Sequence, residues 1–203
     1  MNKFSLTAKR LNTFFRILNI GLSIAAIACL VGLGILAVGA IFNLAPEQVA
    51  TGYDLIDLGF IEFRLAESVM PDEHLTQLNA GIVVALSFVC IIIGKLGVGC
   101  IRKILEPMEQ GAPFHSTVSA NLKKLALLSV ILGVLTGAIE QLYCMLQVRS
   151  CNLAELLLSE NILHVTFHYT FDLDFLIIGA VLLLLSYVFR YGEELQQLSD
   201  ETL

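Results

Sequence analysis

The sequence predicts an all-α membrane protein, a four-helix transmembrane bundle with a small extracytoplasmic β-element. Three observations carry that expectation. There are four long apolar runs, almost no ionisable residues inside them, and a lopsided placement of lysine and arginine in the segments between them. Of the 203 residues, 57% are hydrophobic and 15% charged, whereas a soluble domain is nearer half apolar and a quarter charged. A soluble chain of this length would also interleave polar residues at every third or fourth position of its helices.

A hydrocarbon core of ~30 Å needs about 20 apolar residues in helical form. The first run, 17–42, meets that length without a charge. It is far longer than the ~7–15-residue core of a signal peptide, so it reads as a retained span. The second, 78–101, is interrupted by Lys95, and the third, 122–146, by Glu140. The fourth, 173–189, is the shortest, with Asp174 at its start and Arg190 just past its end. It crosses if it stands upright or the bilayer thins locally. The whole chain then forms a single four-span domain, with loops at 43–77, 102–121 and 147–172 and a tail at 190–203.

Orientation follows from the cations. Lys3, Lys9, Arg10 and Arg16 precede the first run; Arg102, Lys103, Lys123 and Lys124 bracket the central loop; Arg190 follows the fourth run. The other two loops carry only Arg64 and Arg149. Both termini and the central loop are therefore expected in the cytoplasm. The acids Glu47, Asp54, Asp57, Glu62, Glu67, Asp72 and Glu73 then fall in the first outer loop.

The outer loops carry strand-like patterns. Residues 164–172 (HVTFHYTFD) alternate polar with aromatic or β-branched types, and 55–65 (LIDLGFIEFRL) reads similarly, with Gly59 at a bulge position. Pairing of the two segments would satisfy backbone groups that each leaves open alone; an interfacial helix or an irregular loop is the alternative. In the central loop, Gly111-Ala112-Pro113-Phe114 is expected to end the second helix near Met108, because Gly and Pro together punctuate helices. Ser116 or Thr117 is the expected cap of the third helix. In the tail, Leu195 and Leu198 fall on one helical face, and Tyr191-Gly192 is where the fourth helix is expected to loosen.

Lys95 and Glu140 are the only charges well inside a run, and an intramembrane charge is a functional hypothesis by default. Helical rise puts each within ~9 Å of a membrane face, but of opposite faces, so a direct ion pair is not expected. Lys95 can snorkel to the inner headgroups. Glu140 has a shorter stem, and facing an outer vestibule or carrying a proton or cation are both open to it.

Small residues form two ladders, Ser129/Gly133/Gly137 on the third helix and Gly21/Ala25/Cys29 on the first. They allow close backbone approach, within the chain or in a homo-oligomer. Cys144 and Cys151 can be bridged only if the third helix ends near Gln147. His164 and His168 share a strand face, a pattern that fits a metal or pH sensor but is ordinary for two polar residues facing water.

Catalysis has no recognisable signature: there is no HExxH, no GxSxG and no Gly-rich phosphate loop. The five cysteines show no metal-ligand spacing, and no cofactor site is read. A net charge of −6 gives no basis for direct nucleic-acid binding.

The stretch 104–114 (ILEPMEQGAPF), followed by Asn121-Leu122-Lys123-Lys124-Leu125, resembles the central "G-x-P-F … R-L-R" signature of an uncharacterised bacterial membrane family, domain of unknown function 2975. The ending 189–203 (FRYGEELQQLSDETL) is similar to that family's "F-R-x-G-x-x-L-Q-x-E-x-D-x-T-[LV]". The chain departs from it at Lys123 and Lys124, where arginines are common, and at Leu198, where an acid is common. The resemblance covers essentially the whole chain and implies a multi-pass protein of the bacterial inner membrane. It also implies work alongside a small cytoplasmic helix-turn-helix regulator.

On that basis the expected function is a non-enzymatic membrane partner or sensor. Gly111, Pro113 and Phe114 would shape the docking loop, Lys123 and Lys124 would supply charge, and Asp200 and Glu201 would lie in the short acidic end at 200–203. The alternative is a small transporter, channel or peptide-immunity protein in which Lys95 and Glu140 line a pathway. Four helices with so few polar groups make a poor pore alone.

Overall fold

The computed structural model describes residues 3–42, 55–57, 62–64, 73–150 and 173–201. Four helices dominate it: α1 (Lys3–Phe42), α2 (Glu73–Glu109), α3 (Ser116–Ser150) and α4 (Asp174–Glu201). Each is long and apolar enough to cross a membrane. At 1.5 Å per residue even α4 is about 42 Å long and α1 about 60 Å, so all four overrun a ~30 Å hydrocarbon core. The helices therefore extend beyond the apolar runs that announce them.

The large apolar side chains lie mostly on the outside. Ile35 is 67% exposed and Leu184 65%, and the few well-buried residues include Ala8, Ala26 and Ala126. Water would penalise such a surface heavily, whereas a hydrocarbon solvent does not. Hydroxyls in the apolar runs hide by bonding back to their own helix. Ser23 donates to the Asn19 carbonyl (2.9 Å), Ser129 to that of Ala126 (2.8 Å), and Thr136 to those of Leu132 and Gly133 (3.0 Å each).

Between α1 and α2, the short strands β1 (Leu55–Asp57) and β2 (Glu62–Arg64) pair antiparallel, with Leu55 opposite Arg64, Ile56 opposite Phe63 and Asp57 opposite Glu62. This three-residue ladder lies within one loop; it is not the pairing between two loops that the sequence suggests. The other segment of that pairing, 164–172, lies outside the described residues, as do Gly59, His164, His168 and Cys151.

The contacts group into two compact units, Met1–Ile27 with Val89–Thr136 and Asp172–Leu203, and Ala28–Phe88 with Gly137–Phe171. In the first unit, Ile104 from α2 and Val118 and Leu122 from α3 form a buried cluster. Met108, Leu125, Leu182 and Phe189 pack against it. Two close approaches bring α3 and α4 together. A Cβ on Gly133 would collide with Phe175, and one on Gly179 would lie 2.5 Å from Val130 Cγ2. Gly133 of the third-helix ladder is thus used inside the chain. On α1, Gly21 has nothing within 4 Å of where its Cβ would be. The first unit also ties α1 to α2, where Arg102 Nε donates to Asn12 Oδ1 at 3.3 Å.

In the second unit, Gln77 Nε2 of α2 donates to the Leu36 carbonyl of α1 at 3.2 Å. On either side of Gln77 in sequence, Thr76 and Asn79 are buried, Asn79 to 1% exposure. The Thr76 hydroxyl and both polar atoms of the Asn79 amide have no hydrogen-bond partner among the described residues.

Candidate functional site

The residues singled out in the central loop and the tail converge in the first unit. Helix α2 ends at Glu109, two residues after Pro107. Three backbone bonds then close a Schellman turn: Gln110 N–H and Ala112 N–H donate to the Pro107 carbonyl (3.1 and 3.0 Å), and Gly111 N–H donates to that of Met108 (3.2 Å). Gly111 has φ +81°, the left-handed conformation that a residue with a Cβ resists. The helix thus stops close to where the Gly-Pro pattern predicts.

The cap of α3 differs from expectation. His115, not Ser116 or Thr117, stands ahead of the first turn. Its Nδ1 accepts from the Thr117 N–H at 3.3 Å and sits 2.9 Å from the Thr117 hydroxyl, while its carbonyl accepts from Val118 N–H at 2.8 Å. An imidazole acceptor here does what an Asp or Ser oxygen usually does. With Nδ1 accepting, the ring proton belongs on Nε2. Histidine is not among the usual caps, so the local sequence favoured its neighbours.

Phe114 makes the contact that joins loop and tail. Its ring lies 5.8 Å from that of Phe189, tilted by 42°. It also occupies the space a side chain on Gly192 would need: a Cβ there would lie 2.5 Å from both Cδ1 and Cε1 of Phe114. Helix α4 does not loosen at Tyr191-Gly192; it continues unbroken to Glu201. Glycine at 192 serves close approach of an aromatic ring rather than flexibility. Pro113, between the Schellman turn and Phe114, is half-buried.

Beyond this contact, α4 carries Leu195 and Leu198, 50% and 59% exposed, together with exposed Glu194 and Glu201. Asp200 belongs to the same helix. Lys123 and Lys124 are exposed on α3. Lys123 borders a groove of about 270 Å³ between α3 and α4, lined also by Ser119, Ala120, Ser186, Tyr187, Arg190 and Glu193. Arg190 Nε is 3.4 Å from Glu194 Oε1, one turn along the helix, and both side chains are well exposed, so the pair adds little stability.

No protein-family model, curated protein or solved structure matches the chain. The family resemblance therefore stands on the residues quoted for it alone.

Lys95 and Glu140 are not brought into this constellation. Lys95 is half-buried in the first unit, and Glu140 is exposed and belongs to the second. At the end of α3 the helix does not stop near Gln147 but runs on to Ser150, and Cys144 is a free thiol. Cys151, the other half of that possible bridge, lies outside the described residues.

Three features escape sequence reasoning: the Arg102–Asn12 bond, the buried Thr76/Asn79 pair, and the groove beside Lys123. Arg102 registers in the sequence only as a topological charge. Asn79 lies at the edge of an apolar run, where an amide gives no sign of its burial. The groove depends on which faces of α3 and α4 meet, and that is settled by Gly133 and Gly179.

Proposed function

We propose that this chain is a non-enzymatic, multi-pass protein of the bacterial cell membrane, with both termini in the cytoplasm, whose inner end docks a soluble partner. The observation that carries the reading is the Phe114 contact with Phe189 and Gly192. It fastens the 110–115 turn to α4 and leaves the last turns of α4 as a continuous helix with exposed Leu195 and Leu198 between acids. A short amphipathic helix of this kind suits a protein groove, where apolar anchors at i and i+3 give affinity and flanking charge gives selectivity.

The partner that the family resemblance suggests is a small helix-turn-helix regulator encoded beside this protein. A basic DNA-binding module would be attracted by Glu193, Glu194, Asp200 and Glu201, while Lys123 and Lys124 would contact any acidic patch on it. The cation distribution supports the inward orientation.

Pull-down of the neighbouring gene's product from membranes holding the full chain tests the reading. Deleting residues 191–203, or replacing Leu195 and Leu198 with Ser, is expected to abolish capture while the protein remains in the membrane. Undiminished capture by both variants would rule out docking through the tail. Thiol labelling of a cysteine placed at Ser116, with the five native cysteines replaced by serine, tests the orientation; modification by an impermeant reagent in intact cells would reverse it.

A further inference from the structure

We propose that the groove between α3 and α4 at Ser119, Lys123, Ser186, Arg190 and Glu193 holds the phosphoethanolamine headgroup of a phospholipid. The inference rests on the chain spanning a membrane and not on the docking of a regulator.

Lys123 lies at the beginning of the apolar run of α3 and Arg190 at the end of that of α4. Both therefore fall at the boundary of the hydrocarbon, the level of lipid phosphates. Tyr187, which also borders the groove, is 56% exposed; an amphipathic ring at this level is at home among headgroups and glycerol. At about 270 Å³ the groove is smaller than the pockets that take drug-sized molecules and suits a small polar group.

Chemistry then selects the group. Lys123 and Arg190 approach the groove from different helices and are both exposed. Together they form a donor pair for phosphate: Arg190 Nε faces Glu194 Oε1 at 3.4 Å, which leaves the two terminal nitrogens of the guanidinium to engage phosphate oxygens. Apart from the hydroxyl of Tyr187, which can donate or accept, the remaining polar groups are acceptors. Glu193 is a carboxylate. The Ser119 hydroxyl already donates to the Ser116 carbonyl (3.2 Å), and the Ser186 hydroxyl, on a residue 5% exposed, donates to that of Leu183 (2.7 Å). With their protons committed to their own helices, both serine oxygens keep only lone pairs to offer.

A groove with two cationic donors and three acceptors matches a ligand that is an anion at one end and a multiple N–H donor at the other. A primary ammonium with three N–H groups meets that need. A choline headgroup carries no N–H, and a phosphoglycerol headgroup carries no cation for Glu193.

The experiment is lipid retention by the full chain, purified in a mild detergent and read by native mass spectrometry. The chain is incubated with equal amounts of phosphatidylethanolamine, phosphatidylcholine and phosphatidylglycerol of identical acyl chains. Phosphatidylethanolamine is expected to be retained about tenfold more than phosphatidylcholine, the worth of a charge-assisted hydrogen bond. Glu193→Gln is expected to collapse that preference while phospholipid retention persists. Lys123→Gln with Arg190→Gln is expected to lose retention of all three, and Lys124→Gln, one residue off the groove, to leave the retention of each lipid as it is in the native chain. These side chains lie at the helix surface, and unchanged circular dichroism will show that the variants fold.

Equal retention of the three lipids by the native chain would overturn the proposal. So would a preference that survives Glu193→Gln, or an equal effect from Lys124→Gln. Displacement of the lipid by millimolar inorganic phosphate or soluble phosphoethanolamine would assign the groove to a free metabolite and also refute the lipid assignment. None of these outcomes bears on capture of a regulator by the tail.

Discussion

The ring of Phe114 fills the space in front of Gly192, where a Cβ would come within 2.5 Å of two ring carbons. One residue of a loop is thus seated against the one position of α4 that lacks a side chain. The contact couples the central turn to the tail. Gly192→Ala should displace the ring from Phe189 and destabilise the protein by about 1–3 kcal/mol, the usual effect of overpacking. In a Phe114→Ala background the same substitution should be neutral or stabilising by up to ~1 kcal/mol, because alanine is the better helix former. A double-mutant cycle read by SDS titration from mixed micelles checks this; additive effects would mean that the two residues do not interact.

Gly133 on α3 faces a less forgiving neighbour. The Phe175 atoms that a Cβ would strike include its own Cβ and Cγ, so a ring flip cannot clear them and α4 itself must move. Gly133→Ala is expected to lose about 3 kcal/mol or more. Gly97→Ala, which would meet only Leu125 Cδ1 at an ordinary 3.6 Å, is expected to be tolerated. Equal stability of the two variants would contradict the close α3–α4 approach.

His115 as the cap of α3 makes a chemical prediction. His115→Leu removes the acceptor for Thr117 N–H and should lose about 1 kcal/mol, whereas His115→Asp should retain the cap. If Ser116 or Thr117 were the true cap, both variants would be silent.

The left-handed backbone at Gly111, φ +81°, sets a further expectation. Gly111→Ala should destabilise the turn by roughly 1–2 kcal/mol, and Gly111→Asn by less, since Asn tolerates this region. The same unfolding titration reads the difference; a Gly111→Ala variant as stable as the native chain would contradict the Schellman turn.

Asn79 is buried to 1% exposure with its amide unpartnered among the described residues. Burial of an unsatisfied amide is unfavourable by about 1–3 kcal/mol, so Asn79→Leu should be neutral or stabilising. A marked loss of stability would show that the amide has a partner in a segment outside the described residues.

Four helices were legible in the sequence because span length is set by the solvent: a hydrocarbon layer demands runs of apolar residues, and such runs have no other common explanation. The end of α2 was legible for a local reason, since Gly111 followed by Pro113 cannot continue a helix. The sequence misleads where a residue's meaning depends on its neighbour in space. Gly192 reads as a weak point in α4, but Phe114 makes it a point of contact. Ser116 and Thr117 have the chemistry of caps, but His115 holds the acceptor.

The sequence by itself determined the number of long apolar helices, the place where the central loop turns and the uneven placement of cations, because length, backbone conformation and charge are properties of one segment at a time. Only the tertiary structure decided which small residues meet which side chains. It decided that Gly133 and Gly179 bring α3 against α4, that the meeting leaves a groove carrying Lys123, Arg190 and Glu193, and that Phe114 binds the loop to the tail. Those outcomes depend on helix rotation and axial register. Registers compatible with the same apolar runs differ only in a few van der Waals contacts, and no pattern along the chain records them.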